Sequence, residues 1–173
     1  MKNFPIKTAD GKEYWISRAC AVVAILFAKV DDNLFVLANK RGKGTPDFQG
    51  CWNCPCGYLD YDEDVFEAAA REVYEETGIV VKPEELSIVG VNSNPKENRQ
   101  NVTIRLTAIL PEDVVNQKFN LDHMEKDEVE DVGWINVNFI NNYQWAFGHE
   151  TLIKKVLDKI NGAPEWQTRN TPI

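Results

Sequence analysis

GYLDYDEDVFEAAAREVYEETGI, residues Gly57–Ile79, is the stretch on which the reading of this chain turns. Asp64 is placed to cap a helix, with Glu67 three residues on to answer it, a capping box of the D-x-x-E kind. Ala68-Ala69-Ala70 favours the helix and Gly78 stops it. At about 100° per residue, Phe66, Ala69 and Val73 share the side that must face a core, whereas Glu72, Glu75 and Glu76 fall within an adjacent arc of about 100°. Ala68 lies on that acidic arc, where its small side chain leaves room above the carboxylates. Like charges this close repel and gain nothing from a bare helix. They make sense around a hard divalent cation, because Mg²⁺ takes oxygen ligands and keeps waters for substrate phosphates. Such an ion polarises a phosphoryl oxygen and acidifies the attacking water, whose proton a partly free carboxylate can take. A solvated acidic face is the bland alternative, and the Glu67–Arg71–Glu75 series of i,i+4 pairs would stabilise any exposed helix.

Upstream of the helix the chain reads as strands and turns. Glu13–Ser17 is a short strand, and Ala19–Ala28 is a continuous apolar run expected of a strand covered on both faces. Asp31-Asp32-Asn33 turns it into Leu34–Asn39. Lys40–Gly50 is a polar loop and Trp52–Leu59 is extended. Downstream, Leu86–Val91, Val102–Leu110 and Val132–Ile135 read as strands, separated by the polar loop Asn92–Asn101 and the acidic loop Asp122–Asp131. Leu152, Ile153, Val156, Leu157 and Ile160 mark one face of a second helix, about His149–Ile160. The expectation is an α/β domain occupying residues 1–173, with a mixed sheet sandwiched between helices, a core over about 19–160 and a surface tail at 163–173.

A length of 173 residues suits one domain rather than two, and a 43% hydrophobic fraction with 27% charged residues argues against disorder. No apolar run approaches the roughly 20 residues that cross a bilayer, and Met1-Lys-Asn-Phe-Pro lacks the apolar region of a signal peptide, so a cytoplasmic location without membrane contact is expected. A net charge of −8 disfavours binding to a nucleic-acid polymer. The same charge would repel a phosphate substrate unless cations and a local basic patch offset it. Cys51-x-x-Cys54 has zinc-ligand spacing, but Cys54 and Cys56 alternate around Pro55 and only Cys20 remains as a distant fourth, so reduced, buried thiols are the better reading.

The spacing of the central stretch decides between the two readings of the acidic arc. Gly57, five residues, Glu63, seven residues, then Arg71-Glu72-Val73-Tyr74-Glu75-Glu76-Thr77-Gly78-Ile79 resembles the Nudix box at every fixed position, with Trp52 and Pro55 where the family often has W-x-x-P. The resemblance covers about residues 19–160 and implies the Nudix fold and an Mg²⁺-dependent pyrophosphohydrolase, with Mn²⁺ as an alternative ion. It implies metal ligation by Glu72, Glu75 and Glu76, with Glu72 sharing the general-base role, and orientation of those ligands by Arg71 and Glu63. Gly57 and Gly78 are the structural glycines of the box. The carbonyl of Cys56 would be a further ligand, although Cys56 stands where the family frequently has a first glycine. A later acidic residue commonly completes the site; Glu125, Asp127, Glu128 and Glu130 are available, and Glu128, five residues before Gly133-Trp134, is the candidate.

The resemblance further implies a nucleotide-derived substrate, a nucleoside diphosphate joined to some other group. Lys40, Arg41 and Lys43 before the helix and Arg99 and Arg105 after it are the phosphate-binding candidates, of which Arg suits bidentate contact. Pro95, 16 residues past Ile79, stands where ADP-ribose-hydrolysing relatives tend to have a proline. Phe48, Trp52, Trp145 and Phe147 could stack a base, against core packing as the default. Three functions follow in order: hydrolysis of ADP-ribose-like or dinucleotide substrates, release of pyrophosphate from a nucleoside triphosphate, and nucleotide binding without turnover. The exact substrate and the oligomeric state, a homodimer included, are left open by the sequence.

Overall fold

A computed structural model describes residues 3–119 and 127–162, leaving aside the side chain of Trp15. The tail at 163–173 and part of the acidic loop, Glu125 included, lie outside the described residues. The chain order is β1 (Phe4–Lys7), β2 (Glu13–Ile16), β3 (Ala19–Val30), β4 (Asn33–Arg41), β5 (Trp52–Asn53), β6 (Cys56–Tyr58), α1 (Val65–Thr77), β7 (Ser87–Asn92), β8 (Asn101–Leu110), β9 (Val129–Asn136) and α2 (His149–Gly162). Short 3₁₀ turns at Pro83–Glu85, Glu112–Asn116 and Val137–Asn142 join these elements. Neither β1 nor the turns carry a periodic signal in the sequence. Cys54-Pro55 divides the extended segment Trp52–Leu59 into two strands, since Pro cannot donate to a ladder.

β3 runs parallel to β8 from Ala19↔Asn101 to Ala28↔Leu110, and the other pairings between the named strands are antiparallel. The sheet is therefore mixed, as the α/β expectation required. Alternation along β3 explains its continuous apolar run. Val22, Ala24, Leu26 and Ala28 pack with Ala68, Ala69 and Val73 of α1, while Val23, Ile25 and Phe27 pack with Leu152, Ile153, Val156 and Ile160 of α2. Both faces are covered, and burying each such Val, Leu or Ile contributes about 1.5–3 kcal/mol.

One departure from an even sheet positions the site. β4 pairs with β3 only over Asn33–Val36, then diverges, and its far end pairs with β5 through Asn39↔Asn53 and Lys40↔Trp52. β6 takes the vacated edge of β3 through Val23↔Cys56 and Val22↔Gly57. A fork thus opens in the sheet, filled by residues 52–58. α1 crosses one side of it. Its ends are built as read: Asp64 accepts from the backbone N–H groups of Phe66 (2.8 Å) and Glu67 (3.0 Å), Glu67 Oε2 accepts from Asp64 N–H (2.8 Å), and Gly78 closes the helix at φ 72°.

The start of α2 seals the other side. Trp52 N–H donates to Gln144 O, and Ala146 N–H donates to Trp52 O, both at 2.8 Å. The chain reverses at Phe147-Gly148 and buries His149, whose Nδ1 accepts from the backbone N–H of Cys54 at 3.0 Å. That bond requires a neutral imidazole, and burial, with the charges of Arg105 and Arg41, pulls its pKa down to about 4. The unfolded chain takes up this proton near pH 6.5, whereas the folded protein resists it. The stabilisation is therefore complete above about pH 6.5 and drains away as pH falls toward about 4. His149→Phe leaves the Cys54 N–H unanswered, at a cost of about 1–3 kcal/mol near neutral pH. Denaturant unfolding of both proteins is expected to show this deficit shrinking toward about pH 4.5.

Candidate active site

Arg71 organises the acidic helix face. Its Nε donates to Glu63 Oε2 (2.9 Å), and Nη2 donates to Glu63 Oε1 (2.7 Å) and to the carbonyl of Tyr58 (3.0 Å). Nη1 is shared between Glu72 Oε1 and Glu75 Oε2, each at 2.8 Å. Glu63 is anchored in turn by the N–H of Asp60 at 2.9 Å, and Arg71 holds its carboxyl below the usual range. The guanidinium therefore ties the loop before α1, strand β6 and two helix carboxylates into one unit.

Two members of the acidic arc, Glu72 and Glu76, turn toward the sheet. Ala68, expected to leave room above the carboxylates, is instead fully buried against β3, and it carries Glu72 with it toward β6. Glu72 closes on Gly57 so tightly that a Cβ there would fall 2.0 Å from its Oε1. A side chain at this position would have to displace the Glu72 carboxylate, which Arg71 holds. Glu76 is partly buried and its Oε2 accepts from the N–H of Cys56 at 3.0 Å, while Glu75 is the exposed member of the three. Burial pushes the Glu72 and Glu76 carboxyls above the ordinary range. The neighbouring charge of Glu75 raises Glu72 further, that of Glu72 raises Glu76, and that of Glu128 raises both.

Glu128 thus lies within electrostatic reach of the helix carboxylates, although some fifty residues separate them in sequence. Its placement has a backbone cause. Gly42 N–H donates to Glu128 O and Gly44 N–H to Asp127 O, each at 2.7 Å, and a Cβ on Gly42 would meet Asp127 O at 2.1 Å. Gly42-Lys43-Gly44 therefore serves as the seat of the described end of the acidic loop, a contact between segments far apart in sequence. Glu130 instead pairs with Lys40 at 2.7 Å.

The basic candidates divide. Arg41 is half-buried beside this group, held by the carbonyl (3.0 Å) and carboxylate (2.9 Å) of Asp47, and its charge acts on Glu76, Cys56 and His149. Arg105 lies half-buried on β8 near His149, with a buried Nε that has no protein partner. Lys43 is exposed on the loop seated against Asp127-Glu128, and Arg99 is exposed in the 92–101 loop with Pro95. Arg18, not singled out from sequence, ties that loop to β3 through the carbonyls of Ser93 (2.7 Å), Asn98 (2.7 Å) and Asn101. Trp52 and Trp145 pack into the core beside α2, with Trp145 Nε1 donating to Ile140 O at 2.8 Å. Phe48 and Phe147 are exposed.

The donors suit a hard cation in kind: carboxylates, with the carbonyl-bearing residue Cys56 on the strand that Glu76 grips. Among the described residues, no three His, Cys, Asp or Glu side chains converge as a ready-made metal cage. The reason is visible in the geometry, since Glu72 and Glu75 satisfy their charge on Arg71. Mg²⁺ needs only one or two carboxylates beside waters and substrate oxygens, so the set fits it without a closed cage. All four cysteines are free thiols, and burial pushes those of Cys54 and Cys56 upward, away from the thiolate that zinc requires.

Comparison with known proteins agrees with this architecture. An ADP-ribose pyrophosphatase of Methanocaldococcus jannaschii is 29% identical over 157 residues, spanning 91% of this chain and 85% of that protein. The NUDIX domain of Shewanella oneidensis NrtR, solved with ADP ribose, superimposes with a TM-score of 0.69 at 25% identity, covering 84% of this chain and 90% of that one. NrtR complexed with a 27mer DNA shares the fold at a TM-score of 0.66 and 24% identity, over 83% of this chain and 62% of that one. The family model of the NUDIX domain matches residues 18–156, and the chain belongs to the Nudix family.

Proposed function

We propose that this Nudix hydrolase cleaves the diphosphate bond of an ADP-ribose-like nucleoside diphosphate derivative, with Mg²⁺ as its cofactor and Mn²⁺ as a substitute. The observation that carries the reading is the partly buried pair Glu72–Glu76 beside Glu128, a concentration of acidic groups that a divalent cation would relieve. Nudix hydrolases generally use divalent metals, and bound here the ion would polarise the phosphoryl oxygens and acidify the attacking water. Glu72, Glu75, Glu76 and the Cys56 carbonyl are the proposed ligands. The raised pKa of Glu72 suits a carboxylate that takes the water's proton, and Glu128, whose charge acts on Glu72, is proposed to share that role. In the proposed step water adds to one phosphorus as its proton passes to the carboxylate, and the bridging P–O bond breaks with its electron pair going to the departing phosphate. The carboxylate then releases the proton to that phosphate or to solvent.

Arg71 and Glu63 act at one remove, holding Glu72 and Glu75 in place. Arg41, Lys43, Arg99 and Arg105 are the proposed phosphate and sugar contacts. Arg41 and Arg105 lie on the side of the fork facing His149, and Arg99 on the loop that Arg18 fastens. The ADP-ribose preference is supported by the relatives named above. A chain of net charge −8 is a poor match for a nucleic-acid polymer, and no described helix is long and apolar enough to cross a membrane. A cytoplasmic small-molecule hydrolase is the reading consistent with these features.

Three outcomes test the proposal. With ADP-ribose and Mg²⁺, product analysis is expected to yield AMP and a sugar phosphate. NMP plus pyrophosphate from a triphosphate alone would favour the second reading, and the absence of any product would favour a binding module. Glu75→Gln and Glu76→Gln are each expected to lower turnover by roughly 10²–10⁴-fold while the circular dichroism spectrum is retained. Arg71→Ala is expected to lose about 10–100-fold through displaced ligands.

Stability supplies a test that needs no substrate. With its pKa raised in the folded protein, Glu76 holds a proton that the unfolded chain has already released, so its ionised form works against folding above about pH 4.5. Glu76→Gln retains an acceptor for the Cys56 N–H and removes that charge. Thermal melts in EDTA should place the variant above the unmutated protein near neutral pH, with the gap closing as pH falls toward about 4.5. Mg²⁺ should raise the Tm of the unmutated protein and leave that of the variant nearly unmoved. A variant that melts lower throughout contradicts this account.

A further inference from the structure

Phe48 and Phe147 are unusual in two respects. Both have left-handed backbone conformations, at φ 51° and 55°, which bulky side chains disfavour, and each is followed closely by a glycine of positive φ, Gly50 at 76° and Gly148 at 70°. Yet neither ring is driven there by burial, since 48% of Phe48 and 47% of Phe147 stay exposed. Two sharp reversals, some hundred residues apart in sequence, lift the phenylalanines out of their loops and bring them together edge to face, with ring centroids 4.8 Å apart. Strain without the return of burial points to a surface that something else completes.

From this geometry we propose that Phe48 and Phe147 form an aromatic subsite that stacks the base of the nucleoside diphosphate substrate, an inference that rests on the pyrophosphohydrolase reading above. The pair is joined to the acidic site by groups already fixed in place. The Arg41 guanidinium carbon sits 4.8 Å from the Phe147 ring centroid, clamped in its orientation by Asp47. On another side, the His149 ring is 5.7 Å from Phe147, and its Nδ1 holds the N–H of Cys54. Two residues further along the same segment, Cys56 N–H holds Glu76. A short rigid path therefore runs from the rings to the carboxylates.

Charge selects the ligand class. Arg41 brings positive charge to the edge of the aromatic pair in a chain that is otherwise strongly acidic, so a ligand with a flat π-face at one end and phosphate at the other matches both features. Trp52 and Trp145, the other aromatics near the fork, are committed to the core and to Ile140.

Binding of nucleoside monophosphates tests the subsite without any turnover, because they contain no anhydride to cut. Calorimetry in the presence of Mg²⁺ would compare AMP, GMP, CMP and UMP with ribose 5-phosphate, which keeps the sugar and phosphate and lacks the base. At least one nucleotide is expected to bind roughly 5- to 150-fold tighter than ribose 5-phosphate, the range of one stacked base. Phe48→Gly and Phe147→Gly, which relax the backbone at these positions, should erase that ratio, and Phe147→Trp should restore it. A ratio near one in the unmutated protein, or a ratio that survives both glycine variants, overturns the subsite. Loss of the ratio together with loss of the native circular dichroism spectrum in both glycine variants, with no recovery in Phe147→Trp, assigns the rings to folding and also overturns it. A base preference that behaves as expected in a protein that hydrolyses no nucleotide derivative would uphold the subsite while refuting the enzymatic reading.

Discussion

A single guanidinium holds the acidic site in register. Arg71 directs its five N–H bonds to Glu63, Glu72, Glu75 and the carbonyl of Tyr58, leaving no donor idle. A planar fork on a rigid helix fixes direction as well as charge, which a lysine could not do. Because its partners come from the loop, from β6 and from two turns of α1, the geometry of each depends on the others. Removal of the guanidinium would leave three carboxylates facing one another across a partly buried space, an arrangement that like-charge repulsion and desolvation both oppose.

The sheet supplies what Arg71 cannot. Divergence of β4 from β3 opens the fork, and residues 52–58 fill it, so the N–H groups of Cys54 and Cys56 point to opposite duties. One is answered by His149 from α2 and the other by Glu76 from α1. Helices on opposite faces of the sheet thereby meet through one short strand segment. The neutral imidazole and the buried carboxylate are both consequences of withdrawing these groups from water, with opposite effects on charge: the histidine gives up its proton and the glutamate tends to keep one.

Much of α1 was legible without coordinates. Asp64, Glu67 and Gly78 act within a few residues of their partners, and a capping bond or a left-handed cap depends little on the remainder of the fold. The same locality made β3 readable, because alternation of Val22, Val23, Ala24 and Ile25 shows that both faces must be covered, whichever elements cover them. The reading of Ala68 failed for the complementary reason: a wheel gives angles around an axis and not which sector meets the sheet.

By itself, then, the sequence determined the helix, its caps, the grouping of Glu72, Glu75 and Glu76 on one arc and the strand buried on two faces, since hydrogen bonds and periodicity within a few residues suffice for each. Tertiary structure alone decided that Glu72 and Glu76 turn inward while Glu75 stays exposed, that Lys40 engages Glu130, that His149 stays uncharged and that Phe48 meets Phe147. Those outcomes depend on contacts between residues tens to about a hundred positions apart. Such contacts form only when strand pairing and the close approach at Gly42 bring distant backbone together.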